Sequence, residues 1–104
     1  MIRVAVVGNT DCLPENFELV SKYEDFDVLL ISYMPLKMLG ECALGINEDL
    51  CRAFLKNKPV YVLKSGLVYK KIFDRDIFQL YCTYAQGLKR FGVKFIDSAE
   101  EICL

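Results

Sequence analysis

Histidine occurs nowhere in the 104 residues of this chain, and that absence removes a block of chemistry. Without an imidazole there is no Ser-His or Cys-His catalytic pair and no imidazole-ligated metal. Acid–base work falls to carboxylates, tyrosine, lysine or cysteine. The cysteines, Cys12, Cys42, Cys51, Cys82 and Cys103, are odd in number and contain no Cys-x-x-Cys pair. That spacing speaks against a structural zinc site or a secreted disulfide framework, and reduced thiols are expected. Neither a metal nor a cofactor is called for.

Charge of one sign is equally scarce. Thirteen basic residues face fourteen acidic ones, and no like-charge run exceeds a pair, so no nucleic-acid partner is expected. No apolar run approaches the roughly 20 residues needed to cross a bilayer. The amino terminus enters a short apolar segment, Ile2 to Val7, without the basic stretch and cleavage site of a secretory leader. The expectation is a cytoplasmic protein with no membrane partner.

What is abundant is apolar material, 54% of residues beside an ordinary 26% charged. A chain of this length holds one core, so residues 1–104 are read as a single domain. The β-branched run Ile2–Val7 stops at Gly8-Asn9-Thr10-Asp11 and reads as a strand followed by a turn. Pro14, Phe17 and Val20, with Leu13, recur at helical spacing and predict a helix up to about Tyr23. Phe26 to Ile31 is a second strand. Pro35, Gly40 and Gly45 interrupt the next segment, which reads as a long loop holding a short helix around Lys37 to Leu44.

Asn47 is placed to cap a helix from Glu48 to about Asn57, with Glu48 and Asp49 where the helix dipole favours anions. Lys58-Pro59 leads into a third strand, Val60 to Leu63, that ends at Lys64-Ser65-Gly66. Apolar residues from Phe73 to Phe91 repeat every three or four positions and predict the longest helix, closed by Gly92. Val93 to Ile96 is a fourth strand. Ser98-Ala99-Glu100-Glu101 has capping-box spacing, which predicts a final turn carrying Ile102, Cys103 and Leu104 onto the domain.

Strands alternating with helices imply right-handed βαβ crossovers. The expected fold is α/β: a small Rossmann-like or flavodoxin-like three-layer sandwich with a mostly parallel four-stranded sheet. Ligands in such sheets bind beyond the carboxyl ends of the strands. Those ends bring forward Gly8, Asn9, Thr10, Asp11, Tyr33, Ser65 and Gly66, with Gly40 in the long loop, as ligand-binding candidates.

Only one glycine follows the first strand, so neither the Gly-x-Gly-x-x-Gly dinucleotide fingerprint nor a Gly-Lys-Ser/Thr phosphate loop is present. The second strand resembles the phosphoacceptor strand of receiver domains, with Ser32 in place of the phosphoacceptor aspartate. Cys12 resembles the nucleophile of small tyrosine phosphatases, but Glu18 stands where that loop has its phosphate-clamping arginine.

The segment from Phe26 to Leu63 resembles the centre of nucleoside 2-deoxyribosyltransferase-like proteins. It contains an apolar strand, a glycine-containing loop, the acid-started helix Asp49-Leu50-Cys51-Arg52-Ala53 and then Lys58-Pro59-Val60. The family's helix begins Glu-Leu-Gly-Tyr-Ala, and its glutamate attacks the sugar anomeric carbon. The resemblance implies a nucleoside or nucleotide ligand and cleavage or transfer of an N-glycosidic bond, with Asp49 or Glu48 as the carboxylate nucleophile. Glu41 or Asp11 would assist the leaving base and Tyr33 would orient the sugar.

Each of these residues also has a plainer role, since acids in a first helical turn complement the dipole and Gly-Asn-Thr-Asp makes an ordinary tight turn. The alternative function is a non-catalytic interaction module. In it, the surplus of apolar residues is buried between subunits of a homodimer, through part of the Ile72–Phe91 helix.

Overall fold

The computed structural model describes residues 1–103; Leu104 lies outside the described residues. Five strands form one parallel sheet: β1 (Ile2–Val7), β2 (Phe17–Val20), β3 (Val28–Ile31), β4 (Val60–Leu63) and β5 (Lys94–Ile96), in the order β2-β1-β3-β4-β5. This is the flavodoxin-like order of the doubly wound class. Among the described residues three α-helices accompany it, α1 (Leu36–Ala43), α2 (Glu48–Leu55) and α3 (Arg75–Arg90). The α/β sandwich expected from the alternating pattern is therefore present, with five strands rather than four.

The additional strand corrects the helix expected over residues 14–23. Phe17 and Val20 are three apart, which fits one face of a helix and equally the opposite faces of a strand. In the structure Phe17 joins the core on one side of the sheet and Val20 the core on the other. Glu18 and Leu19 between them are exposed, as befits a short edge strand. β2 lies parallel to β1 in the register Ile2↔Phe17 to Ala5↔Val20. The connection between them contains only a 3₁₀ turn at Thr10–Cys12.

Handedness explains where the helices go. From β2 to β3, β3 to β4 and β4 to β5 the chain steps the same way across the sheet; from β1 to β2 it steps the opposite way. Right-handed crossovers put the first three connections on one face and the remaining one on the other. Phe26, Leu39 and Cys42 of α1, Leu50 and Ala53 of α2, and Leu88 of α3 accordingly pack in one core with Ala5, Leu29, Ile31, Val60 and Val62. Cys12 and Leu13 pack in the other, beside Val4, Val28, Leu30, Tyr61 and Leu63.

The outer layers are thus unequal. All three α-helices lie on one face, while the second is covered by the β1–β2 connection and the segment after β5. That closing segment forms the anticipated capping box as a 3₁₀ turn, Ala99–Glu101. Glu101 Oε2 accepts from the backbone N–H groups of Asp97 and Ser98 at 2.7 and 2.9 Å. Ala99 and Ile102 are buried against the sheet, and the Tyr61 hydroxyl donates to the Cys103 carbonyl at 2.8 Å.

The helix ends follow their local signals. Asn47 caps α2 through the Leu50 N–H at 3.0 Å, and Asn57, with φ of 55°, turns the chain out of it. Asp74 caps α3 through the Ile77 N–H at 3.0 Å. α1 packs along α3, where Gly40 faces the ring of Tyr84. Among the described residues no helix is long and apolar enough to cross a membrane.

Candidate functional site

The chain reverses its direction across the sheet between β1 and β3, so the crevice of a doubly wound sheet belongs at their carboxyl ends. Here that end is tightly joined. The Ser32 N–H donates to the Val7 carbonyl at 3.0 Å, and its hydroxyl donates to the Asn9 carbonyl at 2.8 Å. The Met34 N–H donates to the Gly66 carbonyl at 2.9 Å, and Met34 and Leu67 continue the pairing of β3 with β4 as an isolated parallel bridge.

Two glycines make this closeness possible. Gly8 has φ of 116°, and a Cβ there would lie 2.6 Å from Ser32 Oγ. A Cβ on Gly66 would overlap the Ser32 carbonyl. Both positions therefore require glycine for backbone approach within the protein itself.

Around this closed floor stand the polar candidates. Asn9 uses its side chain internally, accepting from the Asp11 N–H at 2.9 Å. Thr10, Asp11 and Ser65 are exposed. Tyr33 is 49% exposed, with its Cβ next to Gly8. The structure thus brings Gly8, Asn9, Thr10, Asp11 and Tyr33 to one rim, near the β4 exit with Ser65 and Gly66. Gly40 lies elsewhere, in the α1–α3 contact.

The carboxylate candidates do not join that rim through any observed contact. Asp49 is largely buried and held from both sides: Lys22 Nζ lies 3.2 Å from Oδ2 and Arg52 Nη1 lies 3.3 Å from Oδ1. Lys22 and Arg52 also flank the Tyr23 ring, at 5.4 and 5.1 Å from its centroid. Asp49 consequently ties α2 to the β2–β3 connection. Glu48 is exposed, and Glu41 is half-buried.

Glu41 and Asp49 do share a neighbour, the buried thiol of Cys42. Burial pushes that thiol up to about 12, and Glu41, Cys51 and Asp49 add to the shift through their negative charge. Such a thiol stays protonated and unreactive at neutral pH. Cys12, the other cysteine of interest, donates its thiol to the Asn9 carbonyl at 3.3 Å. Tyr69 is also shifted upward, first by burial and then by Cys82.

The most apolar concavity lies on the helical side. It has a volume of about 490 Å³ and is bordered by Cys42, Gly45, Leu50, Cys51, Phe54, Leu55 and Phe91. A second hollow of about 480 Å³ continues it toward Lys58 and Pro59, sharing Phe54 and Phe91. Leu55 is 86% and Phe91 59% exposed, and Leu44 and Ile46 project nearby from the α1–α2 connection. Sequence reading marks Phe91 only as the last member of a helical stripe. Five residues of helix carry Leu55 to nearly the opposite side of α2 from Leu50, so helical spacing itself turns one inward and the other outward.

The fold places the chain in the parallel α/β class with flavodoxin-like strand order. Comparison with protein-family models, with curated proteins and with solved structures finds no match.

Proposed function

We propose that this protein is a non-catalytic interaction module whose working surface is the apolar groove between α2 and the end of α3. The observation that carries this reading is the groove itself. Contiguous exposed apolar surface on a small domain marks a docking site far more often than scattered single residues do. Of the acid–base candidates, Asp49 holds a cation at each carboxylate oxygen and the Cys42 thiol is buried. A cytoplasmic setting suits the five unpaired cysteines.

The test uses an environment-sensitive apolar dye, anilinonaphthalene sulfonate, with dilute protein. Dye fluorescence should rise on wild type and fall to background on Leu55→Asp, whose melting temperature should match wild type because Leu55 is exposed. Equal fluorescence of the two proteins would sink the groove as the docking surface.

A second reading, a nucleoside or nucleotide ligand at the strand-exit rim, is favoured by one observation. The half-exposed Tyr33 stands beside the Gly8 turn at the switch point, where its ring can stack on a planar base. In its catalytic form this reading gives N-glycosidic cleavage or transfer to Asp49 or Glu48. A thermal-shift series with nucleosides and nucleotides tests it, because a ligand bound only by the folded state raises the melting temperature. Loss of that rise in Tyr33→Ala would locate the ligand; no rise with any of them would remove the reading.

A further inference from the structure

We infer that the occupant of the groove is a second copy of this chain, docked about a two-fold axis; this rests on the groove being the docking surface. A two-fold contact must be self-complementary, each patch supplying both the hollow and what fills it. This patch does so. Its hollow is floored by Cys42, Leu50 and Cys51, and Leu55 and Phe91 project at its border.

The charges are arranged to match. Glu48 lies on the same face of α2 as Cys51 and Leu55, being three and seven residues before them. It stands at the amino-terminal end of α2. At the other end Lys58 lines the continuing hollow, and exposed Arg90 precedes Phe91. A two-fold axis through the middle of the groove reverses one copy against the other. The acidic end of each then meets the basic end of its partner. The residues that line the hollow between them are uncharged, so none of these brings like charges together at the axis.

The arrangement makes a distinctive prediction for Glu48→Lys and Lys58→Glu. Wild type should sediment as a dimer at about 100 μM chain, a concentration at which even a Kd of about 10 μM leaves mostly dimer. Each charge reversal alone should weaken the dimer about tenfold or more, because both reversed contacts become like-charged. An equimolar mixture of the two variants should recover wild-type association. In the mixed dimer one contact sets the introduced lysine against the introduced glutamate, and the other keeps the native pairing of Glu48 with Lys58. Leu55→Asp should be monomeric.

A wild type that stays monomeric while the dye still reports the groove would overturn the second copy as occupant and leave the docking surface standing. A dimer unaffected by Leu55→Asp would overturn both. Failure of the mixture to recover association would overturn the two-fold arrangement.

Discussion

Gly66 passes directly beneath Ser32, so close that a Cβ on Gly66 would overlap the Ser32 carbonyl oxygen and press on the Tyr33 main chain. The neighbouring hydrogen bond from Met34 to Gly66 extends β3 and β4 beyond their last regular pair. A methyl group at position 66 therefore forces the two strand exits apart.

Gly66→Ala is expected to destabilise the protein by about 1–3 kcal/mol, the range for overpacking a tight interior. Gly87, inside α3 with no atom near its absent Cβ, supplies the opposite case. Gly87→Ala should stabilise by about 0.5–1 kcal/mol through helix preference. Urea unfolding of both variants measures the difference, and equal midpoints would refute the close-approach argument.

Asp49 and Glu48 are adjacent in the chain and should behave differently. Asp49→Asn removes the negative partner of Lys22 and Arg52 and is expected to cost about 1 kcal/mol, since the pairs are partly solvent-screened. Glu48→Gln, at an exposed helix start, should change stability by no more than about 0.5 kcal/mol. A shared, unchanged melting temperature would show that the Lys22–Asp49–Arg52 linkage carries no stability.

Leu88 and Leu55 offer the same side chain in two environments. Leu88 is fully buried between α3 and the sheet, and Leu88→Ala should cost about 2–5 kcal/mol. Leu55→Ala, measured in dilute protein, should be within about 0.5 kcal/mol of wild type. Chemical denaturation below the dimerisation range separates them.

Cys42 predicts a pH effect at the alkaline end. Its folded-state value is raised from 9.0 to about 12, so the folded chain holds this proton more tightly than the unfolded one. The resulting stability is complete below about pH 9 and declines as pH rises from 9 toward 12. Cys42→Ala should show a shallower loss of stability between about pH 9 and 10.5 than wild type. Parallel slopes would mean that the thiol titrates alike in both states. Below this window, Cys42 should resist alkylation while exposed Cys103 reacts.

Much of the fold was legible because its signals are local. The β-branched run of β1, the Asn47 cap, the apolar period of α3 and the Ser98 capping box each predict an element that the structure contains. β2 was not legible, because a spacing of three between Phe17 and Val20 cannot distinguish one helical face from two sheet faces. The strand-exit rim was partly readable: Gly8 to Asp11 and Tyr33 do meet. The contact of Gly66 with Ser32 depends on register between strands far apart in sequence, and the Lys22–Asp49 pair on how α2 lies across the sheet. No local pattern encodes either.

The unequal covering of the sheet also sets the timing of closure during synthesis. Strands β1 to β4 and helices α1 and α2 emerge first, yet Val4, Val28, Leu30 and Tyr61 on the second face receive Ala99 and Ile102 only from the segment after β5. At the usual pace of about 5–20 residues per second, several seconds pass between emergence of β4 and arrival of that cover. Until Ala99 and Ile102 arrive the nascent chain presents a partly uncovered apolar sheet face, and that interval is when it is most open to aggregation and to chaperones.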